Sequence, residues 1–580
     1  METNKNQPRL PVTRRQFLGF AGVSVFPLLA ACSQPATPAS PAPAATAAPI
    51  EKPAGQTAPP TTAPAPAPAA TAATAATPAP AAIKRGGQVI ASKNWTYASL
   101  DPALISEPEM PGMEAMYNGL VRFQLVDAKT WSFKVVPDLA ESFEQPDPKS
   151  VVFKLKKGIK FHDGSDFDAE VAKWNILRER DHPKGQQHKA QLQAAVEDVV
   201  AVDKSTLRIK LKTESPGFMR LHAFAWGHKV RMLSKVAYDK NGEEWCQRNA
   251  VGTGPFRFKQ WIADDRVICE KNPDYFENGA DGKPLPYLDG VVFRYVTDPT
   301  VALNDVRSGT AQMVEWIPTK DVAAVQADAN LTLWQMPWAG QIYFYGGYNS
   351  KSKPFDDVRV RQAANYAIDR EGMAKALGYG VGVPYYWPQW GPGILGYDEN
   401  HPKYPYDPAK VKQLLQQAGY ADGTISIELK IIAREPEQTI GEFMQNSWTQ
   451  AGIKTKLVAL ERLAWIDQVR ANSFQACFWR GNLASSVVDP SALDNAFKCG
   501  SAGNWAQWCN QDVDKYMTEG GSTSDNAKRQ AAYSNAYRII QEQAYVFTGI
   551  GVPLLTAYRN ELQNQEFDFQ SPVFRATWLK

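Results

Sequence analysis

The chain has 580 residues, enough for about two to four domains once a compositionally biased N-terminal segment is set aside. Lys and Arg number 63 against 60 Asp and Glu, with no basic run, which argues against nucleic acid as a partner. Beyond the N-terminal apolar stretch, no run approaches the roughly 20 residues of a membrane span, so the body reads as water-soluble.

Thr13-Arg14-Arg15-Gln16-Phe17-Leu18 opens that stretch, and Leu29-Ala30-Ala31-Cys32 closes it. Paired arginines before a short apolar core resemble a twin-arginine export signal, which carries folded proteins out of a bacterial-type cytoplasm. Leu-Ala-Ala-Cys resembles a lipobox, in which Cys32 receives a lipid and becomes the mature N-terminus. The core from Phe17 to Ala31 is too short to span a bilayer, so the expected membrane attachment is the lipid. Residues 33–83 are almost entirely Pro, Ala and Thr, with too little apolar bulk for a core. They are expected to form an extended tether of about 3 Å per residue, either bare or glycosylated like a mucin stalk.

Two-residue alternation predicts half-buried strands over 151–155, 207–211 and 425–431. Between the first two, Phe161-His162-Asp163-Gly164 pairs His with Asp but reads as a turn, and Asp168 is placed to cap the helix that follows. Val360, Ala363, Ala364, Ala367 and Ile368 mark one face of a helix capped by Asp356 or Asp357. Asp407-Pro408 opens another, with Val411, Leu414, Leu415 and Ala418 inward and Gly419 as its stop. A strand over 424–432, a helix around Phe443–Ala451 and a strand over 453–460 make a βαβ unit, so the fold class is mixed α/β.

The loop Gly380–Pro392 carries Tyr385, Tyr386, Trp387 and Trp390 among Gly and Pro. Aromatics there either cover a ligand at a cleft or pack as a satellite core under the loop. Cys499 and Cys509 flank a Gly/Asn-rich segment and are expected to form a disulfide in an oxidising compartment. Cys246 and Cys269 either bridge or stay free, and Cys477 reads as a buried thiol. The six histidines show no strong metal spacing. Gly252-Thr253-Gly254-Pro255 lacks the Lys-Ser/Thr of a phosphate loop, and no nucleophile elbow occurs. The sequence therefore predicts no enzyme, no cofactor and no metal site.

Several segments in order carry a resemblance: Gly86-Gly87-Gln88-Val89, Leu100-Asp101-Pro102, Tyr117-Asn118-Gly119-Leu120-Val121 and Val136-Pro137-Asp138-Leu139-Ala140-Glu141-Ser142. They continue through Phe153–Gly164, Val251–Phe256, Lys271–Phe276 and Pro354–Arg370. Together they resemble the family 5 extracellular solute-binding proteins, the oligopeptide, dipeptide and nickel-binding class that serves ABC importers. The resemblance implies a two-lobed periplasmic-binding-protein (type II-like) α/β fold. Lobe I would comprise 84–126, 250–338 and 547–580, with a subdomain at 127–249 inserted, and lobe II would be 339–546. Chain crossings near 337–340 and 544–549 would form the hinge.

The resemblance further implies that a small solute, an oligopeptide or a relative, is held between the lobes of a monomer and passed to ABC permease subunits. Its expected contacts are Trp479, Arg480 and Asn482 at a strand end, Tyr386, Trp387 and Trp390 on the aromatic loop, and Ser106 and Glu107 on the first lobe. One position departs from the pattern. Peptide-binding relatives place an Asp three residues before an Asp/Glu-Pro pair to hold the peptide ammonium, and this chain has Ser486 before Asp489-Pro490. Either another acid such as Glu107 substitutes, or the solute is an oligosaccharide or sugar–amino acid conjugate rather than an ordinary peptide.

Overall fold

The computed structural model describes residues 83–105, 112–127, 132–185, 187–223, 229–336, 342–388, 390–421, 425–482, 489–501, 503–568 and 571–580. Cys32, the tether up to residue 82, Ser106, Glu107, Ser486 and the crossing at 337–340 therefore lie outside the described residues, as does the Asn482 side chain. No helix among the described residues is long and apolar enough to cross a membrane.

Two mixed sheets organise the body. The first lobe is a seven-stranded sheet in the order 331–335, 555–559, 313–315, 88–93, 290–295, 266–271, 256–262. Its central strand, Gln88–Lys93, runs parallel to Gly290–Tyr295 and Met313–Glu315. Both faces are covered. Val89, Ala91, Val291, Phe293 and Met313 pack on one side, while Val314, Leu555 and Ala557 meet Leu303 and Val306 of helix Pro299–Ser308 on the other.

Inserted into this lobe is a four-stranded antiparallel sheet, 140–147, 150–155, 206–211, 196–203, backed by helix Ala169–Asp181. Val151, Phe153, Leu207 and Ile209 supply its core, as the alternation predicts. Asp168 accepts from the Val171 N–H at 3.0 Å and fixes the helix start. The His162 ring sits 3.0 Å from the Gly254 carbonyl, and Asp163 accepts from Ser165 and Ser234, so this motif is a turn that staples the insertion to the lobe.

The second lobe is a six-stranded sheet in the order 383–384, 546–552, 342–348, 476–482, 426–432, 454–460. Ser426–Ile432, helix Glu437–Gln450 and Lys454–Leu460 form the expected βαβ unit with parallel strands. Asp357 and Asp407 cap their helices through the N–H groups of Arg359 and Lys410. The buried Arg370 donates to the carbonyls of Asn365 and Tyr404 at 3.0 and 2.9 Å, and burial pulls its guanidinium down to about 10. Cys499 and Cys509 are bridged, whereas Cys246, Cys269 and Cys477 are buried free thiols that burial holds well above the ordinary thiol value.

The return crossing differs from the expected one at 544–549. Strand Val546–Val552 is hydrogen-bonded inside the second sheet, so the chain passes to the first lobe at Pro553–Leu554. Gly549 has an ordinary backbone there. A Cβ on it would stand 3.1 Å from the Met373 sulfur, so it serves close packing and not rotation.

Candidate solute cleft between the two sheets

A cavity of ≈ 590 Å³ opens between the sheet ends of the two lobes. That size is in the range that holds a small molecule, roughly 300–1,000 Å³. The first lobe contributes Asn94, Trp316, Pro318 and Lys320, the second Phe344, Tyr379, Pro436 and Arg480, and the crossing Pro553 and Leu554. The positions follow from topology. Asn94 and Trp316 each stand one residue beyond a parallel strand of the first sheet, where α/β sheets present their ligand sites.

Trp316 and Tyr379 have φ values of 66° and 47°, in the left-handed region that non-glycine residues seldom occupy. Such backbones persist only where surrounding contacts hold them, and they gather at binding sites. The Trp316 N–H donates to the Leu555 carbonyl at 2.8 Å, and its ring rests against Trp95 with centroids 5.0 Å apart.

Charge at the cleft is organised by Glu437, in the first turn of helix 437–450 and 0 % exposed. Arg434 Nε donates to its Oε1 at 2.6 Å, and Arg480 Nε lies 3.8 Å from the same oxygen. The Arg480 side chain remains 36 % exposed. Two guanidinium forks thus converge on one buried carboxylate, with Arg480 forming part of the cavity wall.

Of the expected contacts, Arg480 is the one described residue that the cavity includes. Trp479 is not beside it. Tyr345 pairs with Trp479 and Phe344 with Arg480, and successive strand residues face opposite sides of a sheet. Trp479 accordingly packs inside the second lobe, 4.5 Å from the Tyr345 ring and 5.9 Å from Trp465.

Trp390 is not among the described cavity residues either. It is 0 % exposed and stacks on Tyr537 with centroids 4.2 Å apart and planes 6° apart, so it has no face to offer a solute. Tyr386 donates to Glu371 at 3.1 Å, and Trp387 packs edge-on against Tyr397 beneath the Lys403 ammonium. Neither is among the described cavity residues. Tyr379, which the cavity does include, lies just upstream of the loop singled out by its composition.

Arg434, Glu437, Trp316 and Lys320 carried no sequence signal of their own.

A second cavity of ≈ 320 Å³ lies within the first lobe, and its carboxylates are engaged in place. Glu114 receives Lys229 at 2.6 Å and Arg231 at 3.0 Å, and Glu566 receives Arg575 at 2.9 Å. Among the described residues, no group of three or more His, Cys, Asp or Glu is placed to hold a metal.

Residues 134–504 match the family of bacterial extracellular solute-binding proteins, family 5 Middle. The chain belongs to that family. It is 30% identical over 451 residues to the glutathione-binding protein GsiB of Pectobacterium atrosepticum, covering 76% of this chain and 84% of that protein. Among solved structures it is similar to the ABC transporter-associated periplasmic binding protein DppA from Helicobacter pylori in complex with the peptide STSA. That likeness has a TM-score of 0.70 at 22% identity, over 86% of this chain and 98% of the other. It is also similar to the periplasmic binding protein AgaA from A. tumefacien R10 in complex with agropinic acid. There the TM-score is 0.69 at 23% identity, over 85% and 99% of the two chains. The two-lobed α/β architecture is thus shared with family 5 binding proteins.

Proposed function

We propose that this family 5 protein captures an acid-bearing, peptide-like solute between its lobes and delivers it to an ABC permease. The carrying observation is the cavity walled by both lobes, with the Arg480 guanidinium at its surface and Glu437 and Arg434 behind it. A guanidinium presents a planar fork of donors that matches a carboxylate, and a charge-assisted bond of that kind is about twice as strong as a neutral one. Glu437 holds the fork in place. Trp316 and Tyr379, one from each lobe, supply the apolar walls. The glutathione-binding relative supports a short peptide bearing more than one carboxylate.

In this reading Arg480 takes a solute carboxylate, and Ser106, Glu107, Asn482 and Ser486 are candidate polar contacts. Closure about the crossings follows from differential affinity, because a solute touching both lobes binds the closed form more tightly than the open one. Export through the twin-arginine signal, a lipid on Cys32 and the Pro/Ala/Thr tether would hold the monomeric receptor near the permease. A sugar–amino acid conjugate is the second reading. It is favoured by the two aromatic walls and by the agropinic acid bound to a protein of the same fold.

Native mass spectrometry of the purified protein tests both. A co-purified mass matching glutathione or another short acidic peptide is the expected result, and calorimetry with glutathione, tripeptides and opines then ranks the classes. Recovery of a neutral oligosaccharide, with no binding of any carboxylate-bearing probe, would overturn the acid-bearing assignment.

A further inference from the structure

Away from the cavity, the lobes touch at a second place. The turn after strand Thr206–Leu211 of the inserted subdomain reaches across to the second lobe. There Glu214 Oε1 accepts the backbone N–H of Ser524 at 3.0 Å and its hydroxyl at 2.8 Å.

Three residues on, Gly217 is pressed against the side chain of Asp489. A Cβ built on Gly217 would fall 2.5 Å from the Asp489 Cγ and 2.7 and 2.8 Å from its oxygens. Asp489 cannot give way. It is 2 % exposed, both its oxygens receive Arg529 Nη2 at 2.8 Å, and its Oδ1 also takes the Ser491 N–H at 3.0 Å and hydroxyl at 2.7 Å. Arg220, one helical turn beyond Gly217, lies within electrostatic reach of both Asp489 and Arg529.

Gly217 has no positive φ, so its backbone is one that alanine adopts without strain. Glycine is therefore needed at 217 only for the approach to Asp489, and that approach exists only while the lobes are together. We propose that the 214–220 turn and the Asp489–Arg529 pair form a clasp that sets the open–closed balance of the receptor, with Gly217 and Asp489 as positioning residues for solute capture. The clasp acts at a distance from the cavity, since none of its residues lines it.

The clasp contributes free energy to the closed form whether or not solute is present, and so tunes affinity without touching solute. Weakening it leaves the open-form site unchanged and raises the rate at which bound solute escapes. The inference rests on two-lobe capture, and its test is chosen to separate the two.

Dyes placed on the full chain through Lys204→Cys in the inserted subdomain and Lys515→Cys in the second lobe report the inter-lobe distance by single-molecule energy transfer. Both positions are exposed, the free thiols among the described residues are buried, and Cys32→Ser keeps dye off the N-terminal segment. Gly217→Ala should shift the distribution toward longer distances with no solute added. The closed population should fall about ten- to hundredfold, the scale of other intrusions into packed contacts. With reduced glutathione as the probe, the dissociation rate should rise by a similar factor while the association rate stays within about twofold.

Glu214→Ala, at a solvent-facing contact, should shift the same distribution by a smaller amount. An unchanged distance distribution in both variants overturns the clasp. A wild-type distance that stays fixed with and without every probe overturns two-lobe capture itself, and the clasp with it.

Discussion

Arg480→Ala offers the sharpest test of the cleft. The substitution removes a guanidinium that is 36 % exposed and forms part of the cavity wall. A charge-assisted hydrogen bond to a solute carboxylate contributes about 1.5–3 kcal/mol, so affinity should fall roughly ten- to hundredfold. Folding should barely register the change. Glu437 keeps its 2.6 Å bond from Arg434, and a partly exposed pair at 3.8 Å contributes no more than about 1 kcal/mol to stability. Arg480→Lys should fall between the two, since it keeps the charge and loses the planar fork. The assay is calorimetry with the co-purified solute, glutathione first, at low and high salt beside thermal melts of each variant. Either of two results would rule out this role for Arg480. One is unchanged affinity in a correctly folded Arg480→Ala protein. The other is an equal loss for the native solute and its carboxyl-amidated form, which would show that the contact does not read the acid.

Further outcomes follow from packing and protonation. Trp390→Ala should cost about 3–5 kcal/mol in chemical denaturation, because the ring is fully buried against Tyr537. Replacing both Cys499 and Cys509 by Ser should cost about 3 kcal/mol, the loop-closure value for a ring of this length, and wild-type protein in strong reductant should melt like that variant. Burial away from water holds the His162 ring down to about 4 from an ordinary 6.5, against the opposing pull of its hydrogen bond to the Gly254 carbonyl. Below pH 6.5 the unfolded chain binds a proton there that the folded chain refuses. This component of stability is therefore full above pH 6.5, declines as pH falls, and levels out below about 4, for a total of at most about 3 kcal/mol. The difference between wild type and His162→Gln in acid titrations of stability should show that window, and a parallel pair of curves would dismiss it.

Sequence alone determined the local pieces, because their signals are short-range. Asp168, Asp357 and Asp407 cap the helices their spacing pointed to, and the apolar alternation of 426–432 set a parallel strand beside 454–460. The His162–Gly164 motif folded as a turn for the same reason: a side-chain acceptor within two residues decides it. Tertiary structure decided which way the informative side chains face. Trp479 and Arg480 are adjacent in the chain and so face opposite sides of one sheet, but which side borders the cleft depends on pairing with Phe344 and Tyr345 more than a hundred residues away. Trp390, which composition offers to the cleft, is core because Tyr537 stacks on it, while Tyr379, one residue before the aromatic loop, borders the cavity. The buried run 546–552 carries nothing local to say which sheet it will join, and so the crossing could be placed at Pro553–Leu554 only from its hydrogen bonds. Periodicity and caps are written within a few residues of chain, while facing and partnership are properties of two segments at once.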